Sequence, residues 1–94
     1  MSLRAAALVA LLLPAACAAV VGDRAVVTGV GAEDLLKLRA GPGLNYTVVL
    51  GLPDGTELRR GDCAVELGQL WCAVTLSDAP GIGGYVAADY LSTP

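Results

Sequence analysis

Ninety-four residues make one domain at most. Six Lys and Arg stand against nine Asp and Glu for a formal net charge of −3, so no basic stripe is offered to nucleic acid or to an anionic membrane surface. The chain has no histidine and three cysteines, too few ligands for a metal centre and no histidine base to activate a nucleophile, so neither metal, cofactor nor catalysis is expected.

In chain order, "MSLRAAALVALLLPAACAA" comes first: one arginine, an apolar run, then small residues, which is the pattern of a secretory signal peptide. The run from Ala5 to Ala16 is shorter than the ~20 residues a bilayer span needs, and no later segment replaces it, so no membrane span is expected. Two routes are open for Cys17. Cleavage after Ala18 discards it with the leader, whereas lipoprotein processing makes it the lipidated first residue and a membrane anchor. The expected organisation is a leader over 1–18, a lead-in with the first strand over 19–31, and the main domain over 32–94. The product is expected to be exported, periplasmic or secreted, with a membrane-anchored lipoprotein as the alternative. About 75 residues after such a leader bury a modest core, which makes a cross-link useful.

Glycine and proline then punctuate short, apolar, often β-branched stretches, and no window carries a ten-residue helical stripe. "RAVVTGV" (24–30) reads as a strand. "LLKLR" (35–39) alternates, with Leu36 and Leu38 on one face and Lys37 and Arg39 on the other. "YTVVLGL" (46–52) is a strand closed by Pro53-Asp54-Gly55, where proline presets one dihedral and glycine permits the next. "TELRRG" returns, a cysteine hairpin follows, and "GGYVAADYL" (83–91) closes the chain after a glycine-rich turn. Five or six short antiparallel strands without helices give an all-β fold, a small barrel or sandwich.

"GDCAVELGQLWCAV" is best read as a hairpin. Pairing Cys63 with Cys72 also pairs Ala64 with Trp71, Val65 with Leu70 and Glu66 with Gln69. Either Leu67-Gly68 is then a two-residue turn or residues 66–69 form a four-residue loop; both keep this register. Counting out from the turn, the cysteines fall at a non-hydrogen-bonded pair, where Cα atoms are about 4.5 Å apart and a disulfide can form. Parity puts Cys63, Val65, Leu70, Cys72, Val74 and Leu76 on one face, apolar enough to be the core. Trp71 falls on the other face with Ala64, Glu66, Ala73 and Thr75. It is expected off the main core, either covering a barrel end or serving as a stacking platform.

"LLKLRAGPGLNYTVVLGLPDGTEL" resembles the opening of bacterial SH3 domains: an alternating strand ending in Arg39, then Gly41-Pro42, Tyr46, the apolar pair Val48-Val49, and Leu52 before Gly55-Thr56. Trp71 and Val74 resemble that family's Trp-x-x-Val strand, and Gly84, Tyr85, Val86, Tyr90 and Leu91 its closing segment. Tyr85 stands where tryptophan is more usual, Gly43 replaces a common Ser or Thr, and the intervals from Thr56 to Trp71 and over 76–84 are longer than typical. The resemblance implies an SH3-like barrel used as a binding module, whose partner would be a peptidoglycan peptide or an envelope protein. It implies a groove formed by residues 41–46, the Trp71 strand and residues 85–90. The candidate ligand-binding residues are Trp71, Tyr46, Tyr85, Tyr90, Arg39 and Asn45. A structural or inhibitory subunit that buries the same surface in a constant partner or a homo-oligomer is the alternative. Asn45-Tyr46-Thr47 fits the glycosylation pattern, but in a bacterial-looking export product Asn45 reads as a turn residue. Glu57 with Asp62 and Asp78 with Asp89 read as solvated surface charge rather than as carboxylate dyads.

Overall fold

The computed structural model describes residues 22–94; the leader and Cys17 lie outside the described residues. The described chain is all-β, with seven strands: β1 (Asp23–Val27), β2 (Leu36–Arg39), β3 (Val48–Leu52), β4 (Glu57–Glu66), β5 (Gln69–Leu76), β6 (Gly83–Ala87) and β7 (Leu91–Ser92). They form one antiparallel sheet in the order β3-β2-β6-β5-β4-β1-β7. The sheet is not closed into a ring, so β3 and β7 are its edges. Two strand limits differ from the expected five or six. "TELRRG" and the first hairpin arm are a single strand, β4, bent where Gly61 and Asp62 together oppose Ala73. "GGYVAADYL" is instead divided, because a 3-10 turn at Ala88–Tyr90 separates β6 from the two-residue β7.

One cluster holds the fold together: Val27 of β1, Leu36 and Leu38 of β2, Leu52 of β3, Leu58 of β4, Val74 of β5 and Val86 of β6. Strands from opposite ends of the sheet order meet in this cluster, so the sheet is strongly coiled around a single core. Each of these side chains contributes about 1.5–3 kcal/mol by leaving water. The alternation read in "LLKLR" is the one observed, with Leu36 and Leu38 buried and Lys37 exposed. Among the described residues no helix is long and apolar enough to cross a membrane.

The core is fastened at one end by backbone bonds between non-adjacent segments. Val27 N–H donates to the Thr56 carbonyl at 3.0 Å, Gly55 N–H to Val27 at 2.8 Å, and Thr28 N–H to Tyr90 at 2.8 Å. The Asp54 carboxylate adds two more, accepting from the N–H of Val30 and of Gly31 at 3.0 Å each. Asp54 is therefore more than a turn former: it ties the loop after β1 to the β3–β4 turn.

The cysteine hairpin has the register expected of it: Cys63 opposite Cys72, Ala64 opposite Trp71, Val65 opposite Leu70 and Glu66 opposite Gln69. Cys63 and Cys72 are joined in a disulfide with Cα atoms 4.0 Å apart. Of the two turns left open, the structure has the two-residue one, with Leu67 and Gly68 both at positive φ (51° and 79°), as a type I′ hairpin turn requires.

The assignment of faces needs correction at the hairpin tip. Val65 is 66% exposed and Leu70 41%, although both share the parity of the core residues Cys72 and Val74. The reason is length. β1 reaches β4 only up to Arg60, and β6 reaches β5 only from Trp71 onward. The tip therefore projects past its neighbouring strands, and among the described residues no second layer covers its apolar face.

Candidate functional site

Trp71 is only 5% exposed, although its parity sets it on the face of the hairpin away from the main core. It stays outside the main core cluster, so its burial comes from a second, thinner layer. The loop after β2 and the segment from β6 into the 3-10 turn, represented by Leu44, Ala87 and Tyr90, lie around it. A two-face parity argument carries no information about such a cover, because the covering residues come from distant parts of the chain.

That cover leaves a cleft. A hollow of about 520 Å³ has Trp71 in its floor, Pro42, Leu44, Asn45 and Tyr46 on one side, Glu66, Leu67 and Gln69 of the hairpin tip on another, and Tyr90 at the end. A second hollow of about 340 Å³ shares Leu44, Trp71, Ala87 and Tyr90 with it and continues along β2 past Asp34, Lys37 and Arg39. The two make one bent groove. Leu44, Tyr46, Leu67 and Tyr90 are large apolar or aromatic side chains exposed on its walls. The deeper limb holds one carboxylate, Glu66, and no basic side chain.

The loop after β2 is shaped by two local contacts. Gly41 is buried and tucked beneath the Tyr46 ring, so a Cβ at this position would overlap that ring. Arg39 Nη1 donates to the carbonyls of Leu44 at 3.2 Å and Tyr46 at 3.1 Å. The guanidinium thus binds the chain's own loop, and the Leu44 and Tyr46 side chains are held out toward the groove. A role for Arg39 in positioning follows directly from this geometry.

Of the sequence candidates, Trp71, Tyr46, Tyr90 and Asn45 come together at the deeper hollow, and Arg39 lines the shallower one. Tyr85 does not join them. It is half-buried on β6 between Arg39 and Ala73, and lines neither limb. The residues that sequence reasoning missed are Glu66, Leu67 and Gln69 of the hairpin tip, whereas Leu44 lies within the 41–46 stretch that the resemblance implied. The hairpin projection that makes its tip a groove wall depends on where β1 and β6 stop, which periodicity does not show. A signal was nonetheless present: an uncapped leucine in the tightest turn of the chain is unusual unless it has a use.

A wider hollow of about 640 Å³ lies elsewhere, between β1 and the C-terminal residues 91–94. It contains Asp23, Arg24, Arg59 and Arg60 but no aromatic side chain, and Arg60 and Asp23 pair with each other at 3.3 Å. The aromatic groove offers the better recognition surface because its large apolar side chains are exposed around a concave floor.

No family model matches the chain, and neither a curated protein nor a solved structure matches it.

Proposed function

We propose that this chain is an exported, non-catalytic binding module of bacterial SH3 type, an SH3-like barrel in which the coiled sheet remains open. Its groove recognises cell-wall peptides or an envelope protein. One observation carries the reading. Three stretches far apart in sequence (residues 42–46, residues 66–71, and Tyr90) converge on a concave surface lined by exposed aromatic and apolar side chains. Aromatic rings in a preformed cleft supply large contact area at low entropic cost, the usual basis of peptide recognition. Catalysis has no corresponding support, since the chain has no histidine and Cys63 and Cys72 are spent in the disulfide.

The test uses binding of the exported protein to isolated peptidoglycan and to immobilised envelope extract. Tyr46→Ala and Tyr90→Ala are the informative variants because both side chains are exposed on the groove walls. Trp71→Ala is a poorer probe: removing a buried tryptophan costs about 3–5 kcal/mol through the cavity it leaves. Each tyrosine variant is expected to keep its near-ultraviolet circular dichroism and to lose about tenfold or more in binding. Unchanged binding by both variants, or no binding by the parent to either material, sinks the reading. The intact mass of the exported form decides between loss of Cys17 with the leader and its lipidation.

A further inference from the structure

A second surface lies apart from the deeper limb of the groove, on the outside of β2 and β3. Leu35 and Val48 are exposed there, and Val48 belongs to the sheet's edge strand. Val48, Leu35 and Gly51 line one shallow hollow of about 360 Å³ together with Lys37, Glu33 and Asp34. Register keeps Val48 on this face, because the irregularity between Leu38 and Arg39 sets Val48 opposite Arg39 and leaves Val49 without a partner on β2. Residues 40–53 are also the longest uncharged run among the described residues, and an edge strand sits within it. Edge strands that stay free are commonly guarded by lysine or proline. β3 has neither within Val48–Leu52.

We infer that this face is a self-association surface, on which a second copy of the chain packs about a two-fold axis through Leu35. The occupant is selected by charge. Along the chain the order is Glu33-Asp34, then Leu35, then Lys37, and all four line the same hollow. A two-fold axis at Leu35 brings Lys37 of each copy against Glu33 and Asp34 of the other, while Leu35 and Val48 meet in the middle. Such an isologous contact is self-complementary without any further partner. These charges are available for it: among the described residues the one ion pair is Arg60 with Asp23, and Lys37, Glu33 and Asp34 pair with no other described residue. The apolar centre is smaller than the ~800 Å² per partner of a standard stable interface, so the dimer is weak and concentration-dependent. None of these residues lines the deeper limb of the groove, which stays open in the dimer, whereas Asp34, Leu35 and Lys37 also line the shallower limb, which the second copy covers.

Sedimentation equilibrium of the exported protein, from about 1 µM to about 1 mM and at low and high salt, tests this. A monomer–dimer equilibrium in the range of about 10–100 µM is expected, weakening as salt rises. Leu35→Glu, which places charge at the centre, and Lys37→Glu, which sets it against Glu33 and Asp34 of the second copy, each weaken the dimer about tenfold or more. Adding E33K and D34K to K37E restores it. Tyr46→Ala leaves it unchanged, and near-ultraviolet circular dichroism confirms that each variant is folded. A monomer throughout the range overturns the inference, as does a dimer insensitive to both single variants, a K37E defect that the reversed charges do not repair, or a dimer abolished by Tyr46→Ala.

Discussion

Arg39 donates through Nη1 to the backbone carbonyl of Tyr46 at 3.1 Å, and the same nitrogen reaches the Leu44 carbonyl at 3.2 Å. One side chain at the end of β2 thus holds the loop that carries two of the groove's exposed side chains. The resemblance to bacterial SH3 domains marks this arginine as the end of the first strand motif, and the geometry gives it a physical task there. Because the two acceptors lie on residues 44 and 46, losing the guanidinium loosens the tip of the loop at two points, while the backbone bonds from Ala40 N–H to Thr47 and from Tyr46 N–H to Gly43 remain at its base.

Arg39→Ala is therefore expected to weaken binding to the groove's ligand about tenfold while costing only about 1 kcal/mol of stability, since these bonds are solvent-exposed. Binding isotherms on isolated peptidoglycan or envelope extract, set beside urea unfolding, separate the two effects. Arg39→Lys is expected to recover part of the loss, because both bonds come from a single nitrogen and a lysine ammonium also carries several donors on one nitrogen. If affinity and stability fall in proportion, Arg39 supports the fold in general and has no special hold on the loop.

Asp54 makes a corresponding clamp on the loop after β1. Its two carboxylate oxygens accept from consecutive backbone N–H groups, those of Val30 and Gly31, at 3.0 Å each. Asp54→Ala is expected to cost about 1–2 kcal/mol in urea unfolding, the range for charge-assisted bonds reduced for exposure. Asp54→Asn keeps one acceptor oxygen and is expected to lose less. Binding in the deeper limb should be unaffected by either variant, since neither Asp54 nor the Val30 and Gly31 it holds lines that limb, whereas Val30 does line the shallower one.

The disulfide closes a loop of nine residues' separation at the base of the projecting tip. The chain-entropy model gives it about 2.5–3 kcal/mol for so short a loop. Cys63→Ser with Cys72→Ser is expected to lose roughly that in a denaturant titration. It is also expected to weaken ligand binding further, because Glu66, Leu67 and Gln69 then sit on an untethered hairpin. A double variant that is destabilised yet binds with the parent's affinity would show that the tip wall is dispensable.

Much of this was legible in the sequence, and the parts that were not share a cause. Alternation predicted Leu36 and Leu38 in the core, and cross-strand counting predicted the Cys63–Cys72 register, because both depend on neighbours along one strand or across one pair. The exposure of Val65 and Leu70 and the burial of Trp71 depend instead on where β1 and β6 end and on which loop folds over the sheet. Tyr46 and Tyr90 were legible as members of an ordered motif. Glu66, Leu67 and Gln69 were not, because a groove wall built by projection leaves no local pattern.

Leu67 combines the two kinds of information. It is fully exposed and sits at φ 51°, a left-handed conformation that costs most side chains about 1 kcal/mol or more and that asparagine tolerates far better. Folding alone gives no reason for a leucine there. Its place on the groove wall, across from Leu44 and Tyr46, supplies one. Leu67→Asn is therefore expected to raise stability by about 0.5–1 kcal/mol in urea unfolding, and to lower binding to peptidoglycan or envelope extract several-fold. Opposite signs for the two measurements identify a residue retained for contact at the expense of the turn. A variant more stable than the parent that binds equally well would remove the hairpin tip from the recognition surface and leave the groove to residues 42–46, Trp71 and Tyr90.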